Sequence, residues 1–213
     1  THISNHRSGR SATRDHSIPV ILSNPPRDVC ILRLSAIGDV CHVLPVVRTL
    51  QQAWPKVRFT WIIGKVEAKL LGPIPEIEFI IFDKRHALKD LKHFRVAIRE
   101  KRFDLLLHMQ LALRASFLSS YVRAPVKLGF DRTRARELQW LFTTHRIAPR
   151  AREHVMDTFF GFAEALGVHD RLLRWDGDLT VAPCHSRPDR RPGPAARSAG
   201  RARRAGRRST GAP

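Results

Sequence analysis

The residues best placed to do chemistry in this sequence are Ser35, Ala36, Ile37, Gly38 and Asp39, a short loop between two apolar patterns. Before it, Val29-Cys30-Ile31-Leu32-Arg33-Leu34 reads as a strand covered on both faces. After it, Val40, Val43, Leu44, Val47 and Leu50 recur on one side of a helix that would pack against the sheet. Asp39 stands at the predicted helix start. A carboxylate there can cap the helix, a contribution of about 1 kcal/mol. It can equally stay ionised in the field of the helix N-terminus and accept a proton from a substrate hydroxyl. The residue types admit both roles. Gly38 allows a tight turn, but the loop holds no G-x-G-x-x-G series, which argues against a dinucleotide-dependent dehydrogenase.

The surrounding elements must position that loop. Strand patterns recur at Arg58–Ile63, Phe79–Phe82, Phe103–Met109 and Val126–Gly129. Helical patterns recur at Glu67–Leu71, at 87–101 with Leu88, Leu91, Val96 and Ile98, at Leu113–Val122, and at Val155–Leu166 before Gly167. Short apolar strands alternating with helices predict an α/β fold, a Rossmann-like parallel sheet with flanking helices. Ligands of such sheets sit at the carboxyl ends of the strands. Three loops fall at that edge: 35–39, 83–86 and 108–112. Gln110, in the third, would either cap the next helix or touch substrate. His42, one turn past Asp39, is either a core-edge histidine or a substrate contact.

Composition divides the chain into residues 1–27, polar and irregular; 28–182, the patterned domain; and 183–213, an Arg/Pro/Ala-rich tail. Residues 184–213 contain no Val, Ile, Leu, Met, Phe, Trp or Tyr, and cannot build a core. Disorder is expected for both flanking zones. The tail is either a natural basic segment or an out-of-frame stretch; its abrupt onset after Asp178–Pro183 favours the second. The formal net charge of +19 is shared between the tail, with nine Arg and one Asp, and the rest, with 29 basic against 18 acidic side chains. A basic body suits an anionic partner. Three cysteines form no C-x-x-C, and the eleven histidines show no ligand spacing, so no metal site and a reducing compartment are expected. The apolar cluster Ile18–Leu22 is too short for a signal peptide, and a cytoplasmic location follows as the expectation.

Ile31-Leu32-Arg33-Leu34-Ser35-Ala36-Ile37-Gly38-Asp39-Val40, with His42 and Leu44-Pro45, resembles the opening motif of the glycosyltransferase family 9 lipopolysaccharide heptosyltransferases. Phe103 to Gln110, Lys127-Leu128-Gly129-Phe130-Asp131 and Ala135-Arg136-Glu137 follow that family in order and rough spacing. The resemblance covers about residues 28–182. It implies the N-terminal, acceptor-side half of a GT-B enzyme. Asp39 would be the general base for inverting transfer of a heptose from ADP-heptose to the lipopolysaccharide inner core. No cofactor or metal ion would be needed. Ser35, Ala36, Gly38, His42, Lys84, Arg85, Gln110 and Arg136 would bind substrate, with Lys84, Arg85, Lys89 and Lys92 facing the phosphate-rich lipid A-core acceptor. The enzyme would work in the cytoplasm, peripherally on the inner face of the cytoplasmic membrane. Family members often carry an acid at the position of His108. The family's donor-binding half has no counterpart in these 213 residues, so this polypeptide is expected to be inactive alone. The alternative is a non-enzymatic basic module for anionic lipid headgroups or nucleic acid. On charge alone, Lys84, Arg85, Lys89 and Lys92 could be a solvated helix face, and Arg134, Arg136 and Arg150 plain surface charge.

Overall fold

The computed structural model describes residues 21–22, 24–135, 138–150 and 154–175. Of the zones expected to be disordered, 1–27 and 183–213, the second falls outside the described residues, as does the first apart from 21–22 and 24–27. Six parallel strands form one sheet: β1 (Asp28–Leu32), β2 (Arg58–Gly64), β3 (Ile77–Phe82), β4 (Leu105–His108), β5 (Val126–Gly129) and β6 (His145–Arg146), in spatial order β3-β2-β1-β4-β5-β6. The connecting helices are α1 (Ile37–Ala53), α2 (Lys65–Leu71), α3 (Ala87–Arg99), α4 (Leu113–Tyr121) and α5 (Val155–Ala165). The α/β class read from the sequence is the one found. β6 was not anticipated: two exposed residues carry no apolar pattern, and only pairing with β5 defines them.

Both faces of the sheet are covered, which is why β1 reads as a continuous apolar run. Val29 and Ile31 join the core beneath α1, α2 and α5; Cys30 and Leu32 join the second core beneath α3 and α4. Burial of Cys30 raises its thiol pKa far above the ordinary range. Ile21, Leu22 and Pro26 also settle against the domain, the first two on the α1 side.

Pro45 sits inside α1 and cannot donate to the Cys41 carbonyl one turn back. The indole N–H of Trp175 fills that vacancy at 3.0 Å, tying the end of the described chain to α1. Gly64, at the β2–α2 junction, is required by a close approach: a Cβ there would stand 2.3 Å from the Leu34 carbonyl oxygen. Among the described residues, no helix is long and apolar enough to cross a membrane.

Candidate functional site

The chain reverses its direction of sheet growth between β1 and β4, and the crevice beyond their carboxyl ends is where doubly wound sheets hold ligands. The loop after β1 and the loop after β4 meet there. The Gln110 side-chain oxygen accepts the N–H groups of Leu34 at 2.6 Å and Ser35 at 3.3 Å, and its amide nitrogen lies 3.4 Å from Ser35 Oγ. Gln110 therefore braces the neighbouring loop. It does not cap α4, whose N-cap is Ala112.

Asp39 is not the N-cap of α1 either. The helix begins at Ile37 with Ala36 as cap, so Asp39 lies in the first turn. Its Oδ2 accepts the Ala36 N–H at 3.4 Å and forms a very short ion pair with Arg33. The side chain remains 34% exposed. Gly38 corrects a second expectation. Its φ is unexceptional, and a Cβ would meet nothing within 4 Å, so the glycine leaves open space beside Asp39 without being needed for the turn. The Ser35–Ala36 peptide bond is cis.

Arg33 is the residue sequence reasoning passed over, and it organises the loop. Its guanidinium donates to Asp39 and, through Nη1, to the Met109 carbonyl at 2.5 Å. It lies over the Phe159 ring, 5.3 Å from the centroid. Burial lowers its pKa, and the Asp39 charge opposes that shift. The Trp61 indole donates to the Arg33 carbonyl at 3.2 Å. A signal was available: a full charge inside an apolar strand pattern must find a partner.

A second buried anchor stands behind the loop after β4. Gln139, fully buried in a single 3-10 turn (Gln139–Leu141), shares its amide N–H groups among His108 Nδ1 (2.9 Å), the His108 carbonyl (2.9 Å) and the Gln110 carbonyl (3.0 Å). Its oxygen accepts the Phe130 N–H at 3.2 Å. His108 is wholly buried, and desolvation, aided by the Lys127 charge, holds its pKa down to about 4. Its neutral ring accepts at Nδ1, leaving a buried Nε2 with no hydrogen-bond partner among the described residues. Asp131, also buried, closes the loop after β5 by accepting the N–H groups of Thr133 (3.0 Å) and Arg134 (3.2 Å). Arg134 returns an ion pair to Asp131 at 3.4 Å.

Of the predicted site residues, Ser35, Ala36, Gly38, Asp39 and Gln110 come together at the β1–β4 crevice. His42 lies on the same helix one turn on, its ring edge-to-face with His154 at 5.7 Å and its Nδ1 buried without a hydrogen-bond partner among the described residues. Arg85 stands two strands away, about 10 Å by strand spacing, in the turn after β3. Its backbone N–H donates to Asp83 at 3.0 Å, the main reason the Asp83 pKa is lowered. Lys84 shares that 3-10 turn (Lys84–His86). The Lys84 side chain and Arg136 lie outside the described residues. Among the described residues, no group of three or more His, Cys, Asp or Glu side chains is placed to hold a metal ion.

Fold and site together define a Rossmann-like α/β domain with an ion-paired carboxylate at its switch point. The family model for glycosyltransferase family 9 (heptosyltransferase) matches residues 91–187. A lipopolysaccharide core heptosyltransferase, OpsX, of Haemophilus influenzae is 44% identical over 156 residues, covering 73% of this chain and 45% of its own length. Lipopolysaccharide heptosyltransferase 1 of Escherichia coli K12 is 27% identical over 166 residues, covering 72% of this chain and 51% of that protein. The E. coli heptosyltransferase WaaC, solved with ADP-2-deoxy-2-fluoro heptose, superposes with a TM-score of 0.60 at 27% identity, over 73% of this chain and 52% of that one. The chain is similar to glycosyltransferase family 9 along residues 91–187 and spans about half the length of the relatives it matches.

Proposed function

We propose that this domain is the acceptor-side half of an inverting heptosyltransferase of lipopolysaccharide core assembly, with Asp39 as its general base. The observation that carries the reading is the ion pair at the switch point. Arg33 and the Ala36 N–H both hold Oδ2, so Oδ1 is the oxygen left for an acceptor hydroxyl. The hydroxyl oxygen attacks the anomeric carbon of a nucleotide-activated heptose as Asp39 takes its proton, and the nucleoside diphosphate leaves with inversion. WaaC is described with ADP and with an ADP-heptose analogue, which supports ADP-heptose as donor here. No metal ion or cofactor is assigned a part. Ser35, Gln110 and His42 line the acceptor approach, while Lys84, Arg85 and Arg136 supply charge for phosphates on the lipid A-core acceptor. The work is done in the cytoplasm, at the inner face of the membrane carrying that acceptor.

Asp39→Asn, made in a chain extended to the full length of its relatives, tests this. Transfer should fall by a factor of about 10² to 10⁴, the usual worth of a positioned base, with unchanged circular dichroism. Turnover near wild type would remove Asp39 from that role. The 213-residue chain by itself should show negligible transfer.

A further inference from the structure

α3 turns Phe94 and Ile98 inward and presents a face that no element among the described residues covers. At the centre of that face is Val96, 76% exposed. Its neighbours three, four and seven residues away on the helix are Lys89, Lys92, His93 and Arg99. An aliphatic side chain is thus held out into solvent within a ring of cations. Lys89 and Lys92 have no carboxylate partner among the described residues. The nearby acids are engaged: Asp90 accepts the Asp83 N–H at 2.5 Å, and Glu100 pairs with Arg99 at 3.4 Å.

The same character continues on both flanks. Around the free edge of β3, a cavity of about 820 Å³ has apolar walls at Phe79 and Ile81 and a rim of Lys65, Lys69 and Lys89, with Asp83 and Asp90 in the same lining but already engaged, Asp83 by Lys65 and Asp90 by the Asp83 N–H. On the other flank, Arg95 lies over the Tyr121 ring at 5.4 Å, next to Arg123 and to Phe117, itself 48% exposed. Cations interleaved with outward apolar residues complement a negatively charged surface whose interior is hydrocarbon. They suit nucleic acid less well. Val96 has no ring for a base to stack on, and the aromatic residues of this face, Phe94, Tyr121 and Phe117, meet one another edge to face.

We infer that the α3 face docks the protein on an anionic phospholipid bilayer, with Val96 entering the headgroup layer. Lys89 and Lys92, expected from the resemblance to face the lipid A-core acceptor, are here assigned to phospholipid headgroups, and vesicles holding neither sugar donor nor acceptor score that contact separately from the proposed transfer reaction. The test is co-sedimentation of the 213-residue chain with phosphatidylcholine–phosphatidylglycerol vesicles, against pure phosphatidylcholine. Charge in the Arg-rich tail also favours anionic vesicles, so each variant has a matched control. Lys89→Ser/Lys92→Ser/Arg99→Ser should weaken partitioning about a hundredfold, at roughly fivefold per cation. Arg201→Ser/Arg203→Ser/Arg204→Ser, removing the same charge, should cost much less. Val96→Asp should weaken partitioning about tenfold or more, whereas Leu173→Asp, the same change at another exposed apolar residue, should stay within about twofold. Equal losses in the matched pairs would reduce the binding to bulk charge and overturn the docking face. So would α3 variants that lose a single-stranded oligonucleotide but keep the vesicles.

Discussion

Arg33 and Asp39 show what six residues of separation can accomplish when a strand ends and a helix begins between them. A guanidinium nine-tenths buried is costly unless hydrogen-bonded; here the Met109 carbonyl and the Asp39 carboxylate take its two terminal nitrogens and the Phe159 ring lies beneath it, while Nε is buried without a hydrogen-bond partner among the described residues. Removing the guanidinium strands the carbonyl and frees the carboxylate. Arg33→Met should therefore destabilise the domain by about 2 kcal/mol or more in denaturant unfolding, with screening at the one-third-exposed Asp39 end keeping the loss modest. Arg33→Lys should recover part of that, because a single ammonium cannot replace the planar fork. Asp39 was readable from sequence as a helix-start carboxylate. That it lies in the first turn, with one oxygen committed to Arg33, was not, because both facts depend on where β1 stops.

At the scale of elements, Gln139 joins two parts of the chain that are apart in sequence: the end of β4 with the loop that follows it, and the residue after β5. Its position is set by Leu138, which adopts a left-handed φ of 61°, costly for a branched side chain and sustained by the bonds that follow. Gln139→Leu should leave the Phe130 N–H and the His108 and Gln110 carbonyls without that partner, at a cost of about 3 kcal/mol by thermal or denaturant unfolding. Its effect should reach the loop before α1, since Gln110 braces it. Gly129→Ala reports on the same join, because the new Cβ would fall 2.5 Å from Thr143 Cγ2. The strand and helix patterns of β1 to β5 and α1 to α5 were visible in sequence, because each buries an apolar run or stripe. β6 and the Gln139 turn were not, because contacts rather than composition create them.

The whole molecule carries one consequence of burying a neutral histidine in the α3–α4 core. His108 takes up a proton near pH 6.5 when unfolded but only near pH 4 when folded. Between those values the unfolded chain binds more protons, so stability falls as pH drops through that window, by up to about 3 kcal/mol in all. Urea unfolding from pH 7 to pH 4 should show this decline, and His108→Asn, which cannot charge, should flatten it. A decline of equal depth in the variant would assign it to the carboxylates instead.

What sequence determined by itself was the class of fold, the order of elements along residues 28–166 and the loop that holds Asp39. Each of these is a local matter of apolar period, chain reversal and a motif contiguous along the chain. The tertiary structure alone decided the partners: Arg33 for Asp39, Gln110 for the loop before α1, Gln139 for His108, and a ring of cations around an exposed Val96. Sheet order brings residues 76 positions apart within 2.6 Å across β1 and β4. Local sequence cannot specify such pairings, because they arise only when parallel strands align and the buried polar groups between them must be satisfied.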